Sequence, residues 1–110
     1  MIKELFFDTH DNVRSLQLLA DQADSVFLPV DLTEVTKVDI EFTDGTTVSS
    51  DDYSAKILWD RDPTNGVLDL KLGQVGLETG TYIGTVICYD VVNTAGIRWE
   101  PEVKVTIKEY

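Results

Sequence analysis

The chain has 110 residues, 43% hydrophobic and 26% charged, the size and balance of one globular domain with one core, which excludes an intrinsically disordered protein. Nine basic against twenty acidic residues leave a formal charge of −11, so phosphate backbones and anionic bilayers are repelled, and neither nucleic acid nor a membrane is expected as partner. Cys88 is the single cysteine and has no internal disulfide partner, residues 1–8 lack the basic start and long apolar run of a secretion signal, and no apolar stretch approaches the roughly 20 residues of a bilayer span. Synthesis in a reducing cytosol is expected.

Residues 1–7 stand apart from the regular pattern that follows, so residues 1–12 read as an N-terminal arm ahead of a domain over 13–110. Phe6 and Phe7 are costly to leave in water, so the arm either completes a sheet or docks onto something else. Between 13 and 25 the signal divides. Val13, Leu16, Leu19, Ala20 and Ala23 fall at helical spacing, while Leu16 and Leu18 also suit a strand. The strand is preferred, because a sandwich needs an opening edge strand there.

From Val26 onward the period is two, the mark of strands with one buried face. Val26, Leu28, Val30 and Leu32 alternate with Phe27, Pro29 and Asp31, and Val38, Ile40 and Phe42 alternate with Lys37, Asp39 and Glu41. Asp44-Gly45 then supplies a tight hairpin turn into a short strand through Thr47 and Val48. Residues 56–59 read as another strand, stopped by Asp60-Arg61-Asp62-Pro63-Thr64-Asn65-Gly66. Leu68, Leu70 and Leu72 point one way, with Val67, Asp69 and Lys71 opposed. Residues 81–90 and a return through Ile97-Arg98-Trp99 form a long hairpin turning at 93–96, and Val103, Val105 and Ile107 close the alternation. About seven strands at spacings of 8–12 residues, with no helix between them, predict an all-β antiparallel β-sandwich.

One motif sharpens that fold. Leu77-Glu78-Thr79-Gly80-Thr81-Tyr82 matches the corner of immunoglobulin-like domains, where a Tyr opening the penultimate strand hydrogen-bonds to backbone a few residues upstream. Leu77 should plug the core, Gly80 should let the chain turn, and Tyr82 should share the inward face with Gly84, Val86 and Cys88.

Together with this corner, Leu32-Thr33, Val38-Asp39-Ile40, Asp44-Gly45, Gly66-Val67-Leu68-Asp69-Leu70 and Tyr89-Asp90 followed by Gly96-Ile97-Arg98-Trp99 resemble, in order and spacing, the immunoglobulin-like domains of tailed-bacteriophage virion structural proteins. The N-terminal domain of baseplate upper proteins is among those it resembles, over about Ala20 to Glu109. The resemblance implies an immunoglobulin-like sandwich with a structural role in the virion, made in the host cytoplasm. Its implied partners are phage major capsid or tail proteins, with further copies of itself in the assembly left open. The chain ends at Tyr110 without the receptor-binding or coiled-coil extension of the baseplate proteins. A capsid decoration protein is therefore the expected kind, and a tail or baseplate component the alternative.

Candidate contact residues are those that alternation leaves outside the core. Ile83, Ile87 and Tyr89 oppose the inward set of their strand, so they are either covered by another part of the chain or meet a partner. Trp99 beside Arg98 is the pairing enriched at binding hot spots, unless its indole seals the end of the core. With Phe6, Phe7 and Phe27 these make up the expected protein interface, while Trp59 is assigned to the core. Asp60-Arg61-Asp62 with Asn65-Gly66 resembles the opening of a calcium loop, yet Lys71 stands where its bidentate Glu belongs, and the Asp51-Asp52 pair is no better. No metal or cofactor is expected. His10, the only histidine, lies in an irregular segment, and no spacing singles out a catalytic pair among twenty acids, so no enzyme is expected. A carbohydrate-binding or adhesion module is the alternative of a different class, with Tyr53 as its main exposed aromatic.

Overall fold

Apolar and polar residues that alternate with period two resolve into strands throughout the computed structural model, which describes residues 2–22 and 26–109, without the side chains of 20–22, 26, 27, 100 and 101. Ten strands are found among the described residues: β1 (Ile2–Phe7), β2 (Arg14–Gln17), β3 (Leu19–Gln22), β4 (Val26–Pro29), β5 (Lys37–Phe42), β6 (Thr47–Ser49), β7 (Ile57–Leu58), β8 (Val67–Leu70), β9 (Gly80–Tyr89) and β10 (Ile97–Lys108). A five-stranded sheet has the order β1-β10-β9-β5-β6, a three-stranded sheet the order β2-β8-β7, and β3 and β4 form a separate hairpin. The expectation of about seven strands therefore undercounts, because several are only two to four residues long.

The two larger sheets share one core. Val38, Ile40 and Phe42 of β5, Val86 and Cys88 of β9, and Val103, Val105 and Ile107 of β10 join Leu16 of β2, Ile57 of β7, and Leu68 and Leu70 of β8 in one buried cluster. The result is an all-β, sandwich-like fold. Leu72 belongs to the same cluster from a 3-10 turn, Leu72–Gln74, and not from the strand that alternation extended through it.

The N-terminal segment is not an arm. β1 pairs with β10 in register from Ile2↔Val103 to Phe7↔Lys108, and this pairing is parallel, whereas the other paired strands are antiparallel. Phe6 lands opposite Ile107 and is 0% exposed. Of the two fates open to the segment, completing the sheet is the one it takes, since burying Phe6 removes a large apolar ring from water. Beyond it, residues 14–22 adopt strands and not the helix that the spacing of Val13, Leu16 and Leu19 would allow.

The corner at the start of β9 forms as its residues dictate. Tyr82 Oη donates to the Glu78 carbonyl at 2.8 Å, Leu77 is buried, and Gly80 takes φ 149°, a value that a side chain disfavours. The Tyr82 ring packs at 5.4 Å from that of Phe42. Gly84 lies beneath the pair: a Cβ there would stand 2.7 Å from the Phe42 ring.

Candidate interaction surfaces

Pairing places three strands side by side on the outer face of the larger sheet. Arg98 of β10 lies opposite Ile87 of β9, and Ile87 lies opposite Asp39 of β5; the next outward pair is Thr85 with Glu41. From this register Arg98 reaches across β9 and donates to Glu41 Oε1 at 3.1 Å. Gly96 approaches from the returning loop, where a Cβ would stand 2.5 Å from Ile87 and 2.8 Å from the Tyr89 ring. Ile87 is consequently only 5% exposed. The molecule covers it with its own ion pair and loop.

Next to it, Lys37 Nζ stands 4.2 Å from the centre of the Tyr89 ring and 3.8 Å from Asp39. Burial, with the Asp39 carboxylate second, raises the Tyr89 phenol above its ordinary pKa. Asp39 is itself buried, and its Oδ1 makes no hydrogen bond among the described residues.

The expected contact residues thus separate. Phe6 is core, and Ile87 is sealed within the fold, so neither is offered to a partner. Trp99 faces inward opposite Val86 and packs on the core, as its end-sealing role requires. Its indole N–H is buried and makes no hydrogen bond among the described residues, and burial pushes the pKa of the Cys88 thiol on the neighbouring strand up to about 11. Phe7, Ile83 and Tyr89 are half-buried, Arg98 is exposed but paired, and the side chain of Phe27 lies outside the described residues.

Alternation did not single out the most exposed aliphatic pair. Val91 and Val92 are 78% and 85% exposed at the tip of the β9–β10 loop. Asp90 locks that tip: its Oδ1 accepts from the Val92 and Asn93 amides at 2.9 and 2.6 Å, and Asn93 Nδ2 donates to both of its carboxylate oxygens. These bonds hold the Asp90 carboxyl below the usual carboxylate range. The signal was present in the sequence as two valines between an Asp and an Asn, residues that close such turns on themselves.

A cleft of about 610 Å³ opens between residues 32–36, 50–54 and 57–63. Leu32, Ile57 and Ser50 are buried in it, Trp59 and Leu58 contribute half-buried walls, and Asp51 and Asp60 stand at its rim. Trp59 therefore packs on the core as expected, from a half-buried position, and its remaining surface lines this cleft. Tyr53, half-buried and packed on the core, is not the exposed loop aromatic that a sugar-binding reading requires.

The acids that resembled a calcium loop are used otherwise. Arg61 donates to both oxygens of Asp69 at 2.9 and 3.0 Å, and Ser15 Oγ donates to Asp69 Oδ1 at 2.6 Å. This network lets Asp69 sit buried on β8, where alternation had pointed it to water. Asp62 holds the Asn65 side chain. Among the described residues no group of three or more His, Cys, Asp or Glu could hold a metal ion, and no helix is long and apolar enough to cross a membrane. No protein-family model matches the chain, and comparison with curated proteins returns no match.

Proposed function

We propose that this chain is a non-enzymatic structural protein of a tailed-phage particle, an immunoglobulin-like domain of the capsid-decoration kind that docks in many copies on the major capsid protein. The sequence resemblance and the Tyr82–Glu78 corner support the family reading. The observation that carries docking is the pre-ordered Val91–Val92 tip. A loop backbone fixed before contact loses little conformational freedom on binding, and each of its two valine side chains contributes about 1.5–3 kcal/mol when fully buried. Repetition over a lattice multiplies a modest contact into stable decoration.

Cryo-electron microscopy of particles carrying this protein tests the proposal. Density for the domain at symmetric positions on the shell, with the 91–92 tip toward the capsid, is the expected result, and Val91→Asp with Val92→Asp should abolish occupancy without unfolding the free domain. Density confined to the tail or its tip would replace decoration with a tail or baseplate role. Full occupancy by the double variant would remove the tip as the docking element.

A further inference from the structure

The cleft beside Trp59 combines apolar walls with carboxylates at its rim. Three cations lie close to it in sequence, and each is committed elsewhere: Lys37 to Asp39, Lys56 to Asp11 at 3.0 Å, and Arg61 to Asp69 at 2.9 Å. Asp51 and Asp60 take part in no ion pair among the described residues. The rim thus carries two carboxylates without a counter-charge, above apolar walls given by the half-buried Leu58 and Pro63. Trp59 adds an aromatic wall beside them.

We propose that this cleft receives a basic side chain, arginine or lysine, presented by an extended segment of a partner protein. The proposal rests on the docking reading above and specifies the chemistry of the partner. A long basic side chain has an apolar stem and a charged head, which match apolar walls below an acidic rim. The face of an indole attracts the same cation. A volume of about 610 Å³ lies within the range of ligand clefts and exceeds what one side chain fills, so the flanking residues of the segment enter as well. The formal charge of −11 raises the local concentration of basic segments and steers their approach. A neutral sugar would share the aromatic wall but gain nothing from that charge.

Isothermal titration of the free domain with a capped five-residue peptide bearing one central arginine provides the test, with the citrulline peptide of the same shape as the neutral control. The arginine peptide should bind at least tenfold more tightly than the citrulline peptide, and the difference should shrink in high salt. Asp51→Asn with Asp60→Asn should remove that discrimination while leaving the circular dichroism spectrum and the urea midpoint unchanged, since both side chains are exposed. Trp59→Leu should weaken both peptides. Equal binding of the two peptides, or no binding of either, would overturn the proposal. Binding of a neutral hexasaccharide, lost in Trp59→Leu, in place of the arginine peptide would make the cleft a sugar site. The free-domain measurement is independent of particle occupancy, so the cleft proposal can fail while the docking reading stands, and the converse.

Discussion

Tyr82 spends its hydroxyl on the carbonyl of Glu78, an exposed residue whose oxygen water can reach once the phenol is gone. Tyr82→Phe should therefore cost about 1 kcal/mol, the net worth of one hydrogen bond, read as a lower urea midpoint. An unchanged midpoint would mean that ring packing alone holds the corner. Asp69 is a stronger case, because it is 7% exposed and its carboxylate is held by Arg61 first and Ser15 second, which keeps its pKa below the usual carboxylate range. A carboxyl depressed in the folded state contributes stability that is complete above its unfolded pKa and is lost as pH falls through the folded one. The stability difference between the parent and Asp69→Asn should accordingly be about 1–3 kcal/mol at neutral pH and shrink below about pH 4. A difference that stays constant down the acid limb would contradict this. Cys88 is 3% exposed, with its pKa raised to about 11. Its reaction with a disulfide reagent at pH 8 should follow global opening of the domain, and fast labelling of the native protein would contradict the burial.

Among the elements, β1 has the largest consequence for its size. Its one fully buried side chain, Phe6, ties the first residues of the chain to its last strand, so Phe6→Ala should destabilise by about 3–5 kcal/mol, measurable by denaturant unfolding. A near-neutral effect would mean that β1 adds little to the stability of the sheet. The sheet edge that β1 forms is blunted by Arg14, whose Nε donates to the Leu5 carbonyl at 3.1 Å, and the opposite edge strand β6 is only three residues long. Short or capped edges resist strand addition by other chains. Within β9, Gly84→Ala would drive a methyl into the Phe42 ring and the Ile40 side chain, an overpacking expected to cost about 1–3 kcal/mol. The same strand explains why its outer residues could not be assigned from spacing. Alternation separates Ile83, Ile87 and Tyr89 from the inward set, but the Arg98–Glu41 pair that crosses Ile87 joins residues 57 positions apart.

At the scale of the whole molecule, a Cα radius of gyration of 13.6 Å matches the roughly 13 Å expected of a folded domain of this length. Packing a charge of −11 into that volume produces self-repulsion that salt screens over a Debye length of about 10 Å at 0.1 M. The melting temperature should rise by a few degrees between about 0.01 and 0.5 M sodium chloride, and a fall would show that ion pairs such as Lys56–Asp11 outweigh the net repulsion. The longer strands, the turn at Asp44-Gly45 and the Tyr82 corner were legible in the residues alone, because period two and turn chemistry are local properties of the chain. The parallel seating of β1, the burial of Asp69 by Arg61 and Ser15, the cover over Ile87, and the cleft between residues 32–36, 50–54 and 57–63 were decided only in the tertiary structure. Each depends on which distant segment lies against a given face, and a residue's place in its own strand carries no information about that neighbour.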